Sequence, residues 1–150
     1  MQGNVEVPNP IVDFEEAGFP EDIVRKLKDS GFLTPMPIQA QGWPIVMSGR
    51  DLIGIGQTGS GKTLGYILPA IMHIISHPQK VSAKQNSSNG PLALVLAPTR
   101  ELAQQIETVA REFSRGSLRI RTTCVFGGAN KGPQIRDLDA GVDLVVATPG

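Results

Sequence analysis

A single cysteine in 150 residues, Cys124, excludes an internal disulfide and fits a reducing compartment. No apolar run approaches the roughly 18 residues of a membrane-spanning helix, and the opening MQGNVEVPNP holds neither the basic nor the apolar stretch of a secretory signal. The expectation is a soluble intracellular chain, in nucleus or cytoplasm, with no membrane attachment. Net charge is missing too: 14 Lys and Arg balance 14 Asp and Glu, so the total gives no argument for a polyanionic partner. Its distribution says more. Residues 1–29 carry three basic and seven acidic side chains, whereas residues 100–136 carry seven basic and three acidic, so a polyanion, if the chain binds one, is expected at the second stretch, the alternative being scattered solvated charge.

The composition is otherwise that of one globular domain: 40% hydrophobic and 19% charged residues exclude a fibre or a disordered chain. Ile23, Val24 and Leu27 are spaced for a helix over 21–30 that stops at Gly31, and a second short helix is predicted from Pro37 to about Gly49. DLIGIG at 51–56 reads as a buried strand. A mostly apolar helix follows over 62–77, with a kink at Pro69 and a stop at Pro78; polar, turn-rich residues 79–91 read as a surface loop. LALVLA at 92–97 reads as a second buried strand, and Thr99 as the cap of a helix with Leu102, Ile106, Val109 and Phe113 on one face. A third strand is predicted over 119–126, a helix around 134–139 and a fourth strand over 142–147. Alternating helices and continuously apolar strands indicate an α/β fold, a parallel β-sheet with helices on both faces. Ligands bind such sheets beyond the carboxyl ends of the strands, where this chain has GQTGSGKT, PTRELAQQ, Gly127-Gly128 and a final TPG.

Residues 56–63, GQTGSGKT, form a phosphate-binding loop. Backbone N–H groups reach a triphosphate only where side chains do not obstruct them, and Gly56, Gly59 and Gly61 clear that space around Gln57, Thr58 and Ser60. Lys62 places a cation on the β and γ phosphates. Thr63 offers a hydroxyl to Mg²⁺, and the helix starting at Lys62 adds the positive end of its dipole. Lys62 and Thr63 are thus the candidate catalytic residues, with Thr63 holding the metal through the bound nucleotide. The loop alone does not choose among kinases, GTPases, transporters and helicases.

The neighbouring motifs narrow that choice. GFLTPMPIQ at 31–39, with Phe14 upstream, PTRELAQQ at 98–105, Gly127-Gly128 and ATPG at 147–150 occur in the order that resembles the DEAD-box family of ATP-dependent RNA helicases, over nearly the whole chain. The resemblance implies a RecA-like P-loop NTPase fold, with 1–30 as a flanking segment and helix, 31–150 as part of the first ATP-binding domain, and the second RecA-like domain absent. It implies that Gln39 reads the adenine edge with its carboxamide and that Phe32 stacks on the ring, with Phe14 accompanying them; taken alone, Phe32 and Gln39 read more readily as packing and capping local helices. It further implies RNA bound without regard to sequence by Pro98, Thr99, Arg100, Gly127, Gly128, Thr148, Pro149 and Gly150. Thr99 exposes helix N–H groups to a phosphate, Arg100 adds charge and the glycines admit backbone. The stretches SGRDLIGIGQTGSGKT and GPQIRDL look most like members acting in RNA processing and ribonucleoprotein remodelling, whose partners the residues do not name.

Three departures from the family pattern stand out. Met36 replaces a small hydroxyl residue beside Gln39, and Gly56 replaces alanine at the start of the loop. The sequence given also stops before an Asp-Glu-Ala-Asp motif. From this the intact protein is expected to unwind or remodel RNA with ATP and Mg²⁺, while the 150 residues alone form an ATP- and RNA-binding module without catalysis. A nucleotide kinase, the remaining alternative, leaves GFLTPMPIQ and PTRELAQQ unexplained. His73 and His77, four apart, lack a third zinc ligand; Cys124 and Trp43 read as packing residues.

Overall fold

The computed structural model describes residues 6–77 and 90–150, divided into two units, Met1–Pro69 and Ala70–Gly150. Pro78 and nearly all of the predicted loop at 79–91 lie outside the described residues.

In the first unit, helix α1 (Glu21–Asp29) starts with Glu21 and Asp22 and ends with Lys26 and Lys28, each charge opposing the nearer end of the helix dipole. Ile23 and Leu27, one turn apart, are buried. Gly31 ends the helix region at φ +85°, a backbone conformation that glycine adopts without a Cβ penalty. Helix α2 (Pro37–Met47) opens on Pro37, whose missing N–H is no loss in the first turn. It buries Trp43 completely. Phe19 meets the Trp43 ring edge-on at 4.9 Å between centroids, and Phe14 lies tilted at 6.1 Å. The segment before α1 is tied to α2 and its flank by backbone as well: Ile11 N–H donates to the Ala40 carbonyl (2.9 Å), Gln41 Nε2 to that of Pro8 (3.0 Å) and Arg50 to that of Glu6 (2.8 Å).

The expected strand at 51–56 is not there: the segment has no regular secondary structure and pairs with no strand of the described residues, and Ile53 and Ile55 are each 91% exposed. Apolar composition supplies a buried face, but a strand exists only through a ladder partner. The segment runs beside α2 instead. A Cβ on Gly42 would come within 3.3 Å of Leu52 Cδ2, and one on Gly54 within 3.2 Å of Ile38 Cδ1.

Helix α3 (Lys62–Ser76) begins in the first unit and ends in the second, with Pro69 inside it. The second unit holds a three-stranded sheet of β1 (Ala93–Leu96), β2 (Thr122–Val125) and β3 (Leu144–Ala147) in the order β1-β3-β2, all parallel, with Leu144 level with Ala93 on one side and Thr122 on the other. The central strand is the most apolar and buries Leu144, Val145 and Val146. Strand β1 departs from the expectation of full burial, because Leu94 and Leu96, which share one face, stay 60% exposed. Helix α4 (Arg100–Ser114) packs on β2 and β3, and helix α5 (Lys131–Asp139) on β2. The buried stripe of α4 is Ala103, Ile106, Ala110 and Phe113; Leu102 is 39% exposed. Small alanines let the helix approach the sheet closely, which the larger predicted side chains Leu102 and Val109 would not.

Candidate functional site

Each unit gathers its own set of the residues singled out above. In the first, the loop 56–61 leads into the N-terminus of α3. Its glycines answer to space and backbone. A Cβ on Gly56 would stand 2.6 Å from Ser60 Oγ; Gly59 sits at φ +79°; and Gly61, at φ +81°, would bring a Cβ within 2.5 Å of Gln39 Nε2 and 2.7 Å of Met36 Sδ. The Lys62 ammonium curls back onto the carbonyls of Gly56 and, at 2.5 Å, Gln57. Ser60 Oγ is buried with no hydrogen-bond partner, an orphan polar atom of the kind ligand sites retain. Exposed amides, this ammonium and this hydroxyl fit a phosphate chain. Thr63, one residue further, pairs with the Tyr66 side chain; burial raises the Tyr66 pKa and that hydrogen bond opposes the rise.

Gln39 belongs to this loop in a way the sequence did not reveal. It is 1% exposed, and its carboxamide is held at both ends: Oε1 accepts from Met36 N–H at 3.0 Å and Nε2 donates to the Gly61 carbonyl at 3.1 Å. The first contact is half of a capping box, the third helical residue reaching back to the N-cap backbone. The second ties α2 to the phosphate loop across 22 residues. A further tie was also hidden: Trp43 Nε1 donates to the Leu64 carbonyl in the first turn of α3 (3.1 Å). Phe32 is half-buried, whereas Phe14 is 0% exposed within the Trp43 cluster of α2.

In the second unit, the three loops that follow β1, β2 and β3 converge through direct hydrogen bonds. Thr99 caps α4, its hydroxyl accepting from Leu102 N–H at 3.3 Å. Arg100, the first helical residue, turns back over the Phe126 ring at 5.2 Å and donates to the Gly127 carbonyl at 2.9 Å. Gly127 N–H donates to the Gly150 carbonyl at 3.2 Å, and Thr148 Oγ1 donates to the same oxygen at 3.2 Å. A Cβ on Gly127 would stand 2.8 Å from that oxygen, and Gly128, at φ +76°, would bring one within 2.5 Å of Arg100. Pro98, Thr99, Arg100, Gly127, Gly128, Pro149 and Gly150 are all exposed, so this knot of backbone and one guanidinium faces solvent.

One residue of this knot escaped the sequence reading. Gln134, on α5, accepts from Phe126 N–H with Oε1 (2.9 Å) and donates with Nε2 to the carbonyls of Phe126 and Asn130 (3.3 Å each). The available signal was a carboxamide one turn into a helix that follows a Gly-Gly turn, where it can reach back. Among the described residues no group of three His, Cys, Asp or Glu could hold a metal ion, and His73 and His77 simply meet edge-on at 6.0 Å. No helix of the described residues is long and apolar enough to cross a membrane.

The sequence model of the DEAD/DEAH box helicase family matches residues 36–150. ATP-dependent RNA helicase DBP2 of Candida albicans is 57% identical over 145 residues, which cover 97% of this chain and 25% of that protein. The crystal structure of the RNA-helicase Prp28 from Chaetomium thermophilum bound to ADP superposes with a TM-score of 0.81 at 41% identity, over 96% of this chain and 34% of that one. A DEAD box protein from the hyperthermophile Methanococcus jannaschii gives 0.78 at 29% identity, over 94% and 36%. The chain therefore spans about a quarter of the length of the curated relatives it matches, and the architecture it shares with these structures is a RecA-like α/β domain.

Proposed function

The chain belongs to the DEAD/DEAH box helicase family, and on that premise we propose that it is the ATP- and RNA-gripping portion of an ATP-dependent RNA helicase. Its 56–63 loop holds the phosphates of ATP and its strand-end knot holds the sugar-phosphate backbone of one RNA strand. The observation that carries this reading is the knot itself. Arg100, Gly127, Thr148 and Gly150 follow three separate strands and are linked by hydrogen bonds, with Arg100, Gly127 and Gly150 exposed; solvent-facing backbone beside a guanidinium is the chemistry that receives phosphates and reads no base. RNA binding independent of sequence follows.

For the nucleotide, Lys62 would move from the Gly56 and Gln57 carbonyls to the β and γ phosphates, and the N–H groups of 57–62 would line them. Mg²⁺ fits the Thr63 hydroxyl and would supply charge neutralisation between phosphates. Gln39 holds Met36 and Gly61 and has one further N–H and one lone pair, since a carboxamide has two of each; at 1% exposure these would reach an adenine edge only once the side chain is uncovered on binding, and Phe32 would supply a ring face. The phosphate-facing groups here are amides, an ammonium and hydroxyls. We therefore propose that the 150 residues bind without cutting, and that hydrolysis and strand separation belong to the full-length protein.

The test is ATP hydrolysis by the full-length protein with and without single-stranded RNA, and by its Lys62→Ala variant. RNA stimulation that vanishes in the variant is the expected result. A lost charge-assisted contact of about 1.5–3 kcal/mol should weaken ATP binding by about 10- to 150-fold. Hydrolysis indifferent to RNA would overturn the helicase reading.

A further inference from the structure

We infer that Gln134 is a positioning residue for RNA: its carboxamide closes the loop 126–130 and so fixes the Gly127 and Gly128 peptides in the geometry that receives a phosphate. The inference rests on the RNA reading of the strand-end knot given above.

Phe126 is the residue directly after β2, where the ladder with β3 ends, and its backbone leaves the sheet to make the Gly127-Gly128 turn. A peptide leaving a sheet needs new partners for both its N–H and its C=O. Gln134 supplies both. Its Oε1 takes the Phe126 N–H at 2.9 Å and its Nε2 gives to the Phe126 carbonyl at 3.3 Å, as the peptide of a neighbouring strand would. The same Nε2 reaches the Asn130 carbonyl at 3.3 Å, so one side chain holds both ends of the five-residue loop. Asn130 is fixed in turn as the N-cap of α5, its Oδ1 accepting from Gly132 N–H at 3.0 Å. On the loop's other side Arg100 lies on the Phe126 ring and bonds to Gly127.

The loop is thereby gripped at Phe126, Gly127 and Asn130, and the exposed peptides between these points have little freedom left to lose when a ligand binds. Preorganisation of that kind appears as affinity without any contact between Gln134 and the ligand. Only a group that both accepts and donates serves. Glutamate in its ionised form accepts only, and would set a negative oxygen against the carbonyls of Phe126 and Asn130; protonated, it regains a donor.

The experiment measures binding of fluorescein-labelled oligouridylate to the full-length protein by anisotropy, together with binding of a fluorescent ATP analogue, for Gln134→Leu, Gln134→Glu and Ala129→Asp. Gln134→Leu should weaken RNA binding about ten-fold, the order of one net hydrogen bond lost from the loop, with ATP-analogue affinity unchanged. Gln134→Glu, which when ionised accepts but cannot donate, should weaken RNA binding at about pH 8 at least as far as Gln134→Leu, again with ATP-analogue affinity unchanged. An unchanged RNA affinity in either Gln134 variant, or an equal loss of ATP-analogue affinity, overturns the positioning role. Ala129→Asp sets a charge on the exposed loop without touching Gln134 and should abolish RNA binding. If it binds RNA normally, the RNA reading of the knot fails, and this inference with it; if it loses RNA while both Gln134 variants bind normally, only the inference fails.

Discussion

Replacing Gln39 with alanine separates two accounts of that residue. If it serves only to read adenine, its loss should leave the ligand-free protein as stable as before. The geometry says otherwise. Gln39 is 1% exposed and makes two hydrogen bonds, from Met36 N–H and to the Gly61 carbonyl. Each is worth about 1 kcal/mol net, and the buried methylene that is also lost adds about 0.8 kcal/mol. Gln39→Ala should therefore lower the unfolding free energy of the nucleotide-free chain by about 3 kcal/mol, towards the lower side where water reaches the half-buried Met36 and Gly61. The assay is equilibrium urea unfolding of the 150-residue chain followed by tryptophan fluorescence. Its one tryptophan, Trp43, is fully buried in the same unit as Gln39. A loss below about 0.5 kcal/mol, the size of an ordinary surface substitution, would refute the claim that Gln39 holds the phosphate loop.

Two further outcomes follow from local geometry. Thr99→Ala removes the hydroxyl that accepts from Leu102 N–H and should cost about 1 kcal/mol in thermal or urea unfolding, whereas Thr99→Asn should restore the cap; equal stability of the two variants would show that the cap contributes nothing. Glu15 is held down at about 2 by a hydrogen bond with Asp13 and then by the Lys28 ammonium. A depressed carboxyl stabilises the fold above its unfolded pKa, near the ordinary 4.5, and loses that contribution as pH falls from there towards 2. NMR titration should show Glu15 rising towards its ordinary value in Lys28→Met and in 1 M salt, since the pair is fully exposed and screened; a titration unmoved by either change would remove Lys28 from the account.

What the sequence made legible follows from where the information resides. The glycine-rich loop was readable because most of its requirements are local: glycine at the positive φ of Gly59 and Gly61 and where a Cβ on Gly56 would meet Ser60, lysine and threonine at the start of a helix; the packing of Gly61 against Gln39 and Met36 was not. Helix α1 and the cap at Thr99 were readable for the same reason. The strand predicted at 51–56 failed because pairing is not a local property, and Ile53 and Ile55 have the side chains of a strand without its partner. The stripe on α4 slipped by one residue because the sheet selects small side chains where backbones approach, so Ala103 and Ala110 displaced Leu102 and Val109.

The hidden parts of both candidate sites share a chemistry. Gln39, Trp43, Arg100 and Gln134 each send a side-chain group to a backbone carbonyl at least eight residues away. Such bonds carry no periodicity, since a glutamine that holds a loop and one that faces water contribute alike to a hydrophobic pattern. They are nonetheless what turns a motif into a site. Glycine-rich loops have the backbone freedom to admit a phosphate, and that freedom must be removed before binding if affinity is not to be lost in ordering them. In this chain the same device recurs in each unit: a glutamine from the helix beside the glycine loop occupies both its donor and its acceptor, Gln39 on Met36 and Gly61, Gln134 on Phe126 and Asn130. A carboxamide suits the task because it bonds a peptide as another peptide would, and unlike a carboxylate it places no charge beside the phosphates the loops are proposed to receive.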